Sequence, residues 1–153
     1  MKNTRLILDN IRSVHNVGSI FRTAEAADVD RIYCIGTTPI PLDRFGQKRN
    51  DFAKVALGAE DLVKWEYLEI ASTLVRKLKK EGYKIIALEQ ADNSVSYKKI
   101  KFTSKTALIV GNEVGGVSKT LLKLADQIAE IPMAGKKESL NVAVATGIML
   151  FGA

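Results

Sequence analysis

Two loops hold most of the residues able to do chemistry. The first, Gly111-Asn112-Glu113-Val114-Gly115-Gly116, joins three glycines to an amide and a carboxylate. Glycine admits φ > 0 and a close approach of backbone to a ligand. The second, Met133 to Glu138, carries another carboxylate and runs into Ser139 and Asn141. Neither loop contains G-x-x-x-x-G-K-[ST] or G-x-G-x-x-G, so neither is built to cradle a nucleotide's phosphates. Glu113 and Glu138 disfavour a polyphosphate and tolerate a neutral or cationic ligand. On loop chemistry alone, two ordinary strand-to-helix turns explain these residues equally well.

A third polar stretch, Asp9 to Asn16 (DNIRSVHN), carries the only histidine, His15. A lone histidine cannot build a metal site, so no metal is expected. Asn16 is placed to cap a helix from Val17 to about Ala27. Arg22 shares a face of that helix with Glu25 and could simply pair with it. A longer segment, Gly36 to Asp51, holds Arg44, Phe45, Lys48 and Arg49, with Lys54 just beyond. So long a loop in a compact domain is usually functional or disordered. Its cations and ring suit a phosphodiester chain and a stacked base. A solvated loop with ordinary surface charge fits as well.

Short apolar runs alternate with helical patterns around these loops. Arg5–Leu8, Arg31–Ile35, Leu62–Tyr67, Tyr83–Leu88, Ala107–Val110 and Gln127–Ile131 read as strands. Val17, Ile20, Phe21 and Ala24 form one apolar helix face. Phe52–Ala59 reads as a short helix. Glu69–Glu81 reads as an amphipathic helix, with Ile70, Leu74 and Leu78 inward and Arg76, Lys77, Lys79 and Lys80 near its end, where cations suit the dipole. Ser96–Lys105 reads as basic surface. Ser118 is placed to cap a helix. The alternation predicts an α/β domain with a mostly parallel sheet. The loops 9–16, 36–51, 89–94, 111–117 and 132–139 all follow strands, so they could share the rim where such sheets bind ligands.

The composition bounds the class. The chain has 153 residues, 46% apolar, enough for one domain with a real core. Net charge is +6, a nudge toward an anionic partner. The single cysteine, Cys34, lies in an apolar run; it reads as a core residue in a reducing compartment such as the cytoplasm. No signal peptide is visible, and no apolar stretch approaches a membrane span. The last helix, Leu140–Phe151, has almost no polar face. A helix apolar all round is buried on all sides. It should lie between this core and, most simply, a second copy of the chain, with Met149 among the partner-facing residues.

Three segments carry a family resemblance: NVGSIFRTAEAA (Asn16–Ala27), LIVGNEVGGVS (Leu108–Ser118) and IPMAGKKESLNVAVATGIMLF (Ile131–Phe151). In order and spacing they resemble the signature motifs of SPOUT RNA methyltransferases, closest to the SpoU-like branch that methylates ribose 2′-hydroxyls. The resemblance covers nearly the whole chain. It implies a Rossmann-like α/β sheet whose C-terminal part threads a deep trefoil knot, and a homodimer through the last helix. It implies S-adenosylmethionine as methyl donor, its adenosine gripped around Leu88, Gly111, Ile131, Met133 and Leu140, with Glu89, Asn112, Glu113, Gly116 and Ser139 completing the cofactor site.

The family's catalytic arginine falls on Arg22, and its motif polar groups on Asn16, Asn112, Glu113, Ser139 and Asn141. A guanidinium is a permanent cation that offers only donors, so Arg22 suits positioning a phosphate and stabilising a developing oxyanion better than proton abstraction. The resemblance makes tRNA or rRNA the partner, with His15, Arg44, Lys48, Arg49 and Lys54 as candidate contacts. Larger relatives have a separate RNA-binding domain; the expectation here is one catalytic domain over residues 1–153. A knotted RNA-binding module without activity is the alternative, and a dinucleotide-binding enzyme is disfavoured by the missing glycine fingerprint.

Overall fold

A computed structural model describes residues 3–152. In chain order the elements are β1 (Thr4–Asp9), α1 (Val14–Ala26), β2 (Arg31–Ile35), α2 (Asn50–Ala56), α3 (Ala59–Leu62), β3 (Lys64–Leu68), α4 (Ala71–Lys80), β4 (Lys84–Leu88), β5 (Val95–Ser96), a 3-10 turn (Tyr97–Lys99), β6 (Thr106–Gly111), α5 (Lys119–Leu124), β7 (Gln127–Glu130) and α6 (Val142–Gly152). The strands form one sheet in the order β3-β2-β1-β6-β4-β7-β5. Every pairing among the described strands is parallel. Chain segments leaving the strands therefore emerge on one rim, as expected from their order.

Burial on both faces explains the continuous apolar runs. Successive side chains point to opposite sides. Leu6, Leu8, Ile32, Cys34, Leu108 and Val110 face a core made with α1, α2 and α6. Ile7, Ile35, Ile85, Ala107 and Ile109 face a second core made with α4 and α5. Cys34 is fully buried, and desolvation pushes its thiol up to about 12, so it is packing material. Phe21 and Phe52 meet edge to face, centroids 5.1 Å apart, and lock α2 onto α1. Truncating either ring would cost about 3–5 kcal/mol.

Several local expectations need correction. The helix predicted from Val17 starts at Val14, and its cap is Ser13, whose hydroxyl accepts from Asn16 N–H. Asn16 is buried inside the first turn, its amide engaged elsewhere. Ser118 stands at the cap of α5, but its side chain makes no capping bond. The helix predicted over Phe52–Ala59 breaks at Leu57 and Gly58, which both take positive φ; Leu62 then ends α3 rather than opening a strand. Ile70 is exposed, because it precedes α4 instead of facing the sheet. In the stretch predicted as surface, Ser96 belongs to a parallel edge strand and Ile100 is buried. Met149, expected at a partner surface, is fully buried in this chain's own core, while Val144 and Phe151 face outward. Among the described residues no helix is long and apolar enough to cross a membrane.

Candidate active site

A cavity of about 450 Å³ opens at the carboxyl ends of β4, β6 and β7 and is closed by the start of α6. Leu88 and Glu89 line it from β4, and Gly111, Asn112, Glu113 and Gly116 from the loop after β6. Ile131, Met133, Ser139 and Leu140 line it from the segment after β7, with Asn141 beside them. All ten residues expected around a cofactor therefore meet in one place. Val110, Gln90, Glu130, Val142 and Ala145 line it too, and sequence reasoning missed them. The signal was weak: they are unremarkable residues within three positions of element ends.

Each wall is held by hydrogen bonds between segments far apart in sequence. Asn112 Nδ2 donates to the Asn10 carbonyl at 2.7 Å, and its Oδ1 accepts from Val114 and Gly115 N–H, shaping the glycine loop. Glu89 accepts from Val117 N–H at 2.8 Å with one oxygen and from Gln90 N–H with the other. Gln90 Nε2 donates to the Glu138 carbonyl at 2.8 Å, tying down the last loop. Two glycines permit these approaches. A Cβ on Gly111 would lie 2.2 Å from the Gly116 backbone, and one on Gly116, at φ +66, would lie 2.0 Å from a Glu89 oxygen. Buried Asp9 accepts from Ser118 N–H and fastens the far side of the same loop.

Glu113 sits at the N-terminal end of α1, where the helix dipole favours an anion. Its carboxylate accepts from Arg12 N–H at 3.1 Å, Ser13 N–H at 3.2 Å and Asn16 Nδ2 at 3.1 Å. Partial burial pushes its pKa up, but the bonds from Asn16 and from its own, Arg12 and Ser13 backbone outweigh this and hold it below the usual value. Asn16 Oδ1 in turn accepts from Asn141 Nδ2 at 3.0 Å. Asn141 Oδ1 accepts from Ala143 and Val144 N–H, so it also caps α6. A charge-assisted chain thus joins the β6 loop, α1 and α6 across the cavity's rim.

Arg22 and the expected RNA contacts lie elsewhere. His15, Arg22 and Lys54 line a second, shallower groove of about 580 Å³, bounded by Leu57 and Phe151. Arg22 is exposed, and among the described residues it makes no ion pair, with Glu25 or any other. Lys48 pairs with Asp61 at 2.5 Å and Arg49 with Asp51 at 2.7 Å. Arg44 lies over the Phe45 ring. Among the described residues no group of three or more His, Cys, Asp or Glu side chains could hold a metal ion. The arrangement can bind a neutral or cationic ligand of nucleoside size in the cavity, with a basic groove beside it.

Comparison with known proteins agrees with that chemistry. The protein-family model described as the SpoU rRNA methylase family matches residues 3–151. A tRNA (guanosine(18)-2′-O)-methyltransferase of Aquifex aeolicus is 34% identical over 155 residues, covering 99% of this chain and 69% of its own. A 23S rRNA (guanosine-2′-O-)-methyltransferase of Escherichia coli is 35% identical over 97% of this chain and 58% of its own. The crystal structure of an AdoMet-bound rRNA methyltransferase from Sinorhizobium meliloti superposes with a TM-score of 0.86 at 32% identity, covering 98% of this chain and 55% of that one. The chain thus spans between about half and about two thirds of the length of these relatives. With a family model matched over nearly its full length, the chain belongs to the SpoU rRNA methylase family.

Proposed function

We propose that this chain transfers a methyl group from S-adenosylmethionine to a ribose 2′-hydroxyl of tRNA or rRNA. The observation that carries the reading is the single cavity shared by all ten expected cofactor residues, joined through Asn16 to the helix bearing Arg22. The relatives with tRNA and rRNA names support both target classes equally.

The cavity fits the donor. Its volume suits a nucleoside bearing an amino-acid tail. Leu88, Ile131, Met133 and Leu140 offer apolar walls for a purine. Glu89, Glu113 and Glu130 suit a cationic ligand and would oppose a polyphosphate. When bound, S-adenosylmethionine supplies an electrophilic methyl on a sulfonium. The chain's own residues hold and orient. Gly111, Gly116, Asn112, Met133, Ser139 and Leu140 shape the donor side; Glu113, Asn16 and Asn141 fix the loops at the rim. As the hydroxyl oxygen takes the methyl, the carbon–sulfur bond breaks to leave S-adenosylhomocysteine, and the hydroxyl proton passes to solvent. Arg22, in the separate groove with His15 and Lys54, acts by positioning the phosphate beside the reacting ribose and stabilising developing negative charge when the RNA spans groove and cavity.

The RNA contacts are His15, Arg44, Lys48, Arg49 and Lys54. Lys48 and Arg49 brace their loop through Asp61 and Asp51 and must exchange those partners for phosphate. The described residues act as one catalytic domain, working in the cytoplasm as a homodimer through α6. The exposed apolar Val144 and Phe151 support that interface. The trefoil knot implied by the family motifs is supported by the crossing of the C-terminal part: β7 follows β6 in sequence but lies beyond β4 in the sheet, and α6 then returns to pack on α1 and β6. The test is to map ribose methylation across total RNA with and without the gene, then to repeat the transfer with purified protein. A site lost with the gene and restored by the protein is the expected result. RNA binding without transfer to any RNA would instead identify an inactive binding module.

A further inference from the structure

The hairpin at residues 42–48 has a built tip that the cavity does not explain. Leu42 bridges Lys48 in antiparallel fashion. Asp43 Oδ1 accepts from Phe45 N–H at 2.8 Å and Gln47 N–H at 2.9 Å, and Gly46 closes the turn at φ 75. Of the cations here, Lys48 and Arg49 are held by carboxylates. The tip therefore presents Phe45, 72% exposed, with the Arg44 guanidinium 4.7 Å from its ring centroid. A scattered exposed apolar residue needs no explanation. Phe45 differs because the turn fixes it outward and a cation is stacked over its ring.

The hairpin is also fixed to the site. Thr38 Oγ1 donates to the Leu8 carbonyl at 2.9 Å and accepts from Ile11 N–H at 3.1 Å. Beyond the hairpin, α2 locks onto α1 through the Phe52–Phe21 contact, and α1 carries Asn16 and Arg22. The hairpin follows β2, and only β1 separates β2 from β6. At strand spacings of about 4.8 Å, the ends of β2 and β6 lie about 10 Å apart on the rim.

We propose that Phe45, backed by Arg44, stacks on an unpaired base of the RNA substrate, so that the chain selects a single-stranded or looped target over a duplex. The inference rests on the RNA methyltransferase reading. An aromatic face accepts any base, and arginine adds a phosphate contact. In a duplex the base faces are already stacked, so the ring gains nothing there.

Wild type, Phe45→Ala and Phe45→Tyr are titrated by fluorescence anisotropy against a short labelled single-stranded RNA and the same strand annealed to its complement. S-adenosylmethionine is titrated calorimetrically on the same preparations. Phe45→Ala should weaken single-strand binding about ten-fold. Phe45→Tyr should retain it. Duplex affinity, the salt slope and cofactor affinity should not move, because no charge is lost. The inference fails if Phe45→Ala binds the single strand like wild type. It fails equally if single-strand and duplex binding fall together, or if the substitution changes the mass seen in light scattering, which would mark a contact with a second copy. Wild type binding neither RNA also overturns it, and the cofactor titration then reports separately on the methyltransferase reading.

Discussion

Asn141 Nδ2 donates to Asn16 Oδ1 at 3.0 Å across 125 residues of sequence. The same Asn141 side chain caps α6 with its oxygen. One amide thus serves a helix start and an interhelical tie together. Asn141→Ala should lose the cap, about 1 kcal/mol, and lower the midpoint by about 2–4 °C in a calorimetric melt. It should also weaken S-adenosylmethionine binding in titration, because α6 closes the cavity. A melt shifted without any change in cofactor affinity would confine Asn141 to capping.

Glu113 sits below its ordinary value of 4.5 in the folded protein. Folding therefore favours its ionised form. That stabilisation is complete above the ordinary value and is lost as pH falls through the depressed one. Wild type should lose stability more steeply than Glu113→Gln below about pH 4.5, and Glu113→Gln should be the less stable at neutral pH. Denaturant titrations stepped from neutral pH through the carboxylate range check this. Parallel curves would mean that the bonds from Arg12, Ser13 and Asn16 hold no net charge preference.

Arg22 is exposed on a helix whose apolar face is occupied by other residues, so its truncation opens no core cavity. Arg22→Ala should melt like wild type and bind S-adenosylmethionine normally. Methyl transfer should fall by two to three orders of magnitude, the effect of removing one preorganised contact worth about 3–4 kcal/mol. Single-turnover transfer of labelled methyl is the assay. Wild-type turnover would remove Arg22 from the chemistry.

The two faces of α6 should respond differently to charge. Val144→Glu falls on an exposed apolar position and should yield a folded monomer in light scattering. Met149→Glu buries a carboxylate in the core and should abolish folding in circular dichroism. A wild-type monomer at micromolar concentration would end the dimer proposal.

The sheet was readable because strands buried on both faces appear as apolar runs, as in Leu6–Leu8 and Ala107–Val110. The edge strand Val95–Ser96 was not, because two residues in a polar stretch carry no period and exist as a strand only through pairing with β7. Ser13 and Asn16 are both good caps. Which one serves was decided by Glu113, distant in sequence, which takes the Asn16 amide. In α6 the even spread of apolar residues hid which side faces inward, and Met149 was misplaced for that reason. Of the ten residues expected around the cofactor, eight lie in the family motifs, while Leu88 and Glu89 lie outside them and came only from the wider family resemblance. That Arg22 opens onto a separate groove with His15 and Lys54 depended on packing of α1, α2 and α6, which no local pattern encodes.

The walls of the cavity come from segments that meet late. Arg12 and Glu113 are 101 residues apart, Asn10 and Asn112 are 102 apart, and Gln90 and Glu138 are 48 apart. A chain emerging from the ribosome can complete β1, α1 and β2 early, yet its cavity is not closed until Asn141 reaches Asn16. Contacts this distant in sequence slow folding, because loop closure precedes their reward. A nascent or truncated chain ending before that residue should therefore be blind to S-adenosylmethionine, and binding of the small molecule becomes a reporter that synthesis has passed Asn141.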